Sequence, residues 1–92
     1  MTAEDDRASR EAIINRLSRI EGQIRGVSRM LREDRDAVDV LMQLSSIMAA
    51  TRRTGAAITS YYVQQLVTDA SDIDTDTVRR LHDIIDAYAK LS

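Results

Sequence analysis

The chain has 92 residues, 43% apolar and 30% charged, with no proline, no cysteine, one histidine and a net charge of −2. That balance is too apolar for a disordered chain and too charged for a membrane-embedded one, and no apolar run approaches the roughly 20 residues of a spanning helix. Without thiols there is no disulfide, thiolate metal site or cysteine nucleophile, and a single histidine, His82, is a thin basis for catalysis.

These features predict an all-α, cytoplasmic, non-enzymatic protein folded as one domain over 1–92, with no cofactor and no membrane contact. The first six residues carry Glu4, Asp5 and Asp6, lack the apolar segment of a signal peptide, and are expected to be disordered. Apolar residues then recur at Ile13, Leu17, Ile20, Ile24, Val27 and Leu31, a heptad-like stripe that predicts a first helix over about 6–31. The polar break Glu33-Asp34-Arg35-Asp36 is short enough to join antiparallel neighbours, and Asp34 or Asp36 is suited to cap the next helix.

A second helix is predicted over about 37–67. Ala37, Leu41, Leu44, Met48, Thr51, Gly55, Ile58, Tyr62 and Leu66 trace one stripe, widened on a flank by Val40, Ile47 and Tyr61. A third is predicted over about 75–91, with Val78, Leu81, Ile85 and Tyr88 as its stripe, Ile84 beside them, and Asp72, Asp74 and Asp76 at its positive end. A second helix of this length spans roughly 46 Å, and its stripe is too wide for one hairpin to cover. The expected solution is a homodimer in which two hairpins form an antiparallel four-helix bundle, with the third helices free to cap it or to join dimers.

The small net charge hides a segregation. Residues 7–35 carry eight arginines against four acids, while residues 69–92 carry six aspartates against Arg79, Arg80 and Lys90. This predicts one positive and one negative surface. Twelve of the thirteen bases are arginine, whose planar fork suits phosphate and guanine. Projected on a helix, Arg16, Arg19 and Gln23 share one flank of the apolar stripe. Gly22 and Gly26 lie on the far side, where two mid-helix glycines fit the close approach of another backbone. The arginines also admit a plainer reading, as a solvated face laced to Glu11, Glu21, Glu33 and Asp34.

The stretch Arg16-Leu17-Ser18-Arg19-Ile20-Glu21-Gly22-Gln23-Ile24-Arg25-Gly26, with Arg29-Met30 and then Glu33-Asp34-Arg35-Asp36, resembles the copper-sensitive operon repressor family (CsoR/RcnR). The likeness runs without a gap from about residue 13 to 67. It implies a helical-hairpin dimer assembled into a tetramer, which binds double-stranded operator DNA without a helix-turn-helix and releases it on ligand binding. It places DNA contacts at Arg16 and Arg53. Beside them the residues themselves offer Arg19, Arg25, Arg52 and Gln23 as secondary candidates, and salt bridging competes for Arg19, Arg25 and Arg52.

The resemblance also implies sensor ligands at three positions, and here the chain departs from the pattern. Those positions are Ala37, Tyr62 and Leu66, which supply no thiolate or imidazole for soft or borderline ions. Three functions are therefore weighed: a repressor whose metal site is lost; a repressor that answers a non-metal effector or forms mixed oligomers with a metal-binding paralogue; and a helical-bundle adaptor that never meets DNA. A small, mostly apolar effector pocket at Ala37, Tyr62 and Leu66 belongs to the second. His82 reads as a solvated surface histidine.

Overall fold

The computed structural model describes residues 3–70 and 72–91. They form three helices and no strand: α1 (Ala3–Arg32), α2 (Ala37–Asp69) and α3 (Thr75–Leu91). The acidic N-terminus expected to be disordered is instead helical from Ala3. Glu4, Asp5 and Asp6 make the first turn, where carboxylates favour the positive end of the helix dipole. Met1 and Thr2 lie outside the described residues.

Each helix end has a local cause. At the end of α1 the Arg35 N–H donates to the Met30 carbonyl at 3.0 Å and the Asp34 N–H to the Leu31 carbonyl at 3.2 Å. Asp34 sits at φ 54, in the left-handed region. This paired closure is usually completed by glycine at that residue; aspartate tolerates it better than most side chains. Asp36 then caps α2, its carboxylate accepting the Val38 N–H at 3.0 Å. Asp74 does the same for α3, accepting the Thr77 N–H at 2.8 Å. Those bonds to the Thr77 backbone and hydroxyl hold the Asp74 carboxyl below its ordinary value.

The three helices form a single layer. The protomer measures 57 × 28 × 13 Å, and its thin dimension is about one helix diameter. Its radius of gyration is 17.4 Å, against about 12 Å for a compact domain of this length. In the described residues α2 lies in the middle and packs on both neighbours, while α1 and α3 do not pack on each other. Along the antiparallel hairpin, Ile20 shares a cleft with Ala50 and Thr54, and Ile13 shares a groove with Ile58 and Tyr61. Returning along α2, α3 places Ile84 near Tyr62 and Leu66 and brings Leu91 against Gly55. A Cβ at residue 55 would overlap the end of the Leu91 side chain, which would have to turn aside.

A one-layer fold has little interior. Ile20 and Ile47 are the buried apolar side chains, at 9% and 4% exposure, with Thr54 and Gly55 buried beside them. The α2 residues turned toward α1 are Val40, Ile47, Thr54 and Tyr61, the flank of the expected stripe. Leu41, Leu44 and Met48 from its centre are 64%, 43% and 49% exposed. In α3 the packed edge is likewise rotated: Leu81 and Ile84 are half-buried, whereas Val78 and Ile85 are exposed.

Candidate nucleic-acid interface

The α1–α2 hairpin has two unlike sides. On one side α1 contributes Arg16, Arg19, Ile20 and Gln23, and α2 contributes Ala50, Arg53 and Thr54, to a cleft of ≈ 320 Å³. Arg16, Arg19 and Gln23 converge because steps of 3 and 4 return to one helix face. Ala50 and Arg53 meet them by the same rule on α2. The floor is low. Ala50 has only a methyl, and the Thr54 hydroxyl donates back to the Ala50 carbonyl at 2.8 Å rather than reaching into the cleft.

The guanidinium groups at this cleft are uncompensated. Among the described residues the ion pairs are Arg35–Asp39 at 3.9 Å and Arg79–Asp76 at 3.3 Å, both exposed. Glu11, Glu21, Glu33 and Asp34, the acids of the solvated-face reading, pair with none of the α1 arginines there. Arg25 and Arg52 are exposed and lie outside the cleft. Arg52 is offset by about 100° around the helix from its neighbour Arg53, and an Arg25 guanidinium nitrogen sits 3.7 Å from where a Gly22 Cβ would be. Gly26 has nothing within 4 Å of its own Cβ position. A shallower groove of ≈ 260 Å³ continues the polar side through Arg16 to Ser9, Ser60 and Gln64. Sequence reasoning missed Ala50 and Thr54; the three-residue step from Ala50 to Arg53 and the four-residue step from Ala50 to Thr54 were the available signal.

The expected sensor positions fall elsewhere. Tyr62 and Leu66 are one turn apart and line a groove of ≈ 220 Å³ with Gln65, Asp69, Arg80 and Ile84. Ala37 begins the same helix, 25 residues and about 37 Å away, so one protomer cannot bring the three together. The Tyr61 and Tyr62 rings meet edge to face, 5.3 Å apart at 79°, and the Gln65 amide donates to the Tyr61 hydroxyl at 2.8 Å. His82 is exposed on α3. No cluster of three His, Cys, Asp or Glu residues fit to hold a metal ion occurs among the described residues. No described helix is long and apolar enough to cross a membrane.

The amino-acid sequence has counterparts among known proteins. Residues 9–90 match the family described as metal-sensitive transcriptional repressor, and the chain belongs to that family, one of repressors rather than enzymes. It is 32% identical over 83 residues to the copper-sensing transcriptional repressor CsoR of Bacillus subtilis, covering 90% of this chain and 81% of the relative. It is 40% identical over 55 residues to the copper-sensing transcriptional repressor RicR of Mycobacterium tuberculosis, covering 60% of this chain and 57% of that one. The CsoR of Mycobacterium tuberculosis is 28% identical over 80 residues, covering 87% and 66%. No solved structure matches the chain significantly.

Proposed function

We propose that the chain is a cytoplasmic transcriptional repressor that grips the phosphates of double-stranded operator DNA in the α1–α2 cleft, and that it no longer answers metal. One observation carries the first half: Arg16, Arg19 and Arg53 converge with the Gln23 amide, and no described acid neutralises them. Unpaired arginine forks on a concave, small-floored surface suit phosphate oxygens, and the carboxamide adds a donor and an acceptor. The adaptor reading gives no reason for such a cleft. Arg25 and Arg52 are assigned a long-range electrostatic role only.

The donor chemistry does not fit the metal that the family's name implies. Ala37 and Leu66 have no donor atom, Tyr62 offers a phenol, and the chain has no cysteine and one histidine. No step of the proposed mechanism therefore passes through a metal ion.

The layer supports oligomerisation. The protomer exposes 7009 Å², against roughly 5,400 Å² for a folded monomer of this mass. The excess is about twice the roughly 800 Å² per partner of a standard interface. Leu41, Leu44 and Met48, exposed along α2, are the natural place for a second copy, and two such interfaces build a tetramer. The test is fluorescence anisotropy with a DNA fragment recovered by crosslinking to the full chain. The expected result is binding that weakens steeply with salt and is lost near about 0.5 M. Absence of binding, or binding indifferent to salt, overturns the reading.

A further inference from the structure

We propose that the DNA track does not end at the arginines: the duplex runs on into the shallow groove of Ser9, Ser60 and Gln64, where these neutral groups bond its sugar–phosphate backbone and fix its register. This rests on the DNA reading above and extends it to a surface without charge. Arg16 lines both the cleft and the shallow groove, so the two are continuous. Seven-residue steps set the rims, because seven residues are close to two helical turns. Ser9, Arg16 and Gln23 form one row on α1, and Arg53 and Ser60 form another on α2. From Ser9 to Gln23 the row spans about 21 Å, the axial length of about six base pairs. Ala12, Ala50 and Ala57 keep the lining low. Among the described residues no aspartate or glutamate lines either section, in a chain with 15 acids.

The polar groups of the neutral section are open to a ligand. Thr51, Thr54 and Thr59 of α2 turn their hydroxyls back to the carbonyls of Ile47, Ala50 and Gly55, each at 2.8 Å, and the Gln65 amide is tied to Tyr61. Ser9, Ser60 and Gln64 are exposed, and their side chains make no such bond among the described residues. Serine and glutamine side chains commonly bond phosphate and sugar oxygens, contacts that orient a protein on the duplex without reading its sequence. The groove is also clear of the face assigned to a second copy. Ser60 and Gln64 follow Leu44 and Met48 by sixteen residues, a rotation of about 160° around α2.

The test is anisotropy over a salt series, with the full chain and the DNA fragment recovered by crosslinking, and circular dichroism as the folding control. Four variants are compared with the wild type: Ser60→Ala with Gln64→Ala, Ser60→Glu, Arg53→Ala, and Ser18→Ala, whose exposed hydroxyl lies about 160° around α1 from Arg16. The double variant should bind about tenfold to thirtyfold more weakly at an unchanged salt slope, because neutral bonds release no counterions. Ser60→Glu should lose more, since it sets a carboxylate against phosphate. Arg53→Ala should lower the slope, and Ser18→Ala should bind as the wild type does. If Arg53→Ala weakens binding while the double variant and Ser60→Glu do not, or if Ser18→Ala loses as much as they do, the extension is overturned and the DNA reading stands. A double variant whose slope falls as that of Arg53→Ala does acts through the arginines, and this too overturns the extension. A wild type that binds no DNA overturns both.

Discussion

Removing the guanidinium of Arg53 or Arg16 should weaken DNA binding without touching the fold. Both residues are exposed and neither has a described ion-pair partner, so truncation to alanine should leave stability within about 0.5 kcal/mol. On DNA each guanidinium is expected to make a charge-assisted bond to phosphate. Such bonds contribute about 1.5–3 kcal/mol when well formed, and an exposed cleft argues for the lower end, about 1–2 kcal/mol per protomer. With two protomers on a two-fold site, Arg53→Ala should cost about 2–4 kcal/mol, roughly 30-fold to 1,000-fold in affinity. The slope of log affinity against log salt should shrink by about 1.8, or 0.9 for each lost phosphate contact. Arg16 and Arg53 border one cleft, so the double variant should lose less than the sum of the singles. Anisotropy at four or more salt concentrations, with circular dichroism as the folding control, measures all of this. If Arg25→Ala and Arg52→Ala weaken binding as much as Arg16→Ala and Arg53→Ala, the cleft is not the DNA contact.

The same geometry yields four more expected outcomes. Leu44→Asp or Met48→Asp should dissociate or unfold the assembly at a cost of several kcal/mol, and light scattering that finds the wild type a stable monomer at micromolar concentration would contradict the interface. Asp34→Gly should raise stability by about 0.5–1 kcal/mol in urea unfolding, because glycine adopts the left-handed conformation without a Cβ penalty. Asp74 has a folded value below its ordinary 3.8, so its cap contributes stability above that pH and loses it as pH falls through the folded value; Asp74→Asn should flatten this acid limb in circular dichroism. Copper(I), nickel(II), cobalt(II) and zinc(II) should leave DNA occupancy unchanged in the wild type, whereas Ala37→Cys, Tyr62→His and Leu66→Cys together should create copper(I) affinity, read by competition with a chelator.

The three helices were legible because their apolar spacing is regular and Asp36 and Asp74 are strong cap residues. The faces were less so. The α1 stripe reads as six core positions, yet among them Ile20 alone is buried, while Leu17, Ile24 and Leu31 are exposed. Periodicity reports which residues want cover, not whether one protomer supplies it, and a layer 13 Å thick supplies little. On α2 the spacing could not rank two adjacent stripes. Tertiary packing selected the flank of Ile47 and Thr54 for α1 and left Leu41, Leu44 and Met48 open. Acidic composition at the start of the chain read as disorder because the favourable placement of Glu4, Asp5 and Asp6 in a first turn emerges only once the helix start is known.

The cleft was half legible. Helix projection joins Arg16, Arg19 and Gln23, but joining them to Arg53 requires the hairpin register, and the adjacent Arg52 looks equivalent until the helical step of about 100° separates the two. Ala50 and Thr54 have no chemistry to announce them; they matter by being small. Under the proposed function, the same register lets the chain lack thiolate and imidazole donors at Ala37, Tyr62 and Leu66 and keep its arginine cleft. Arg16 and Arg53 lie on one side of the α1–α2 pair, and Tyr62 lines the apolar groove on the other. Substitution at Tyr62 or Leu66 therefore changes no group of the cleft.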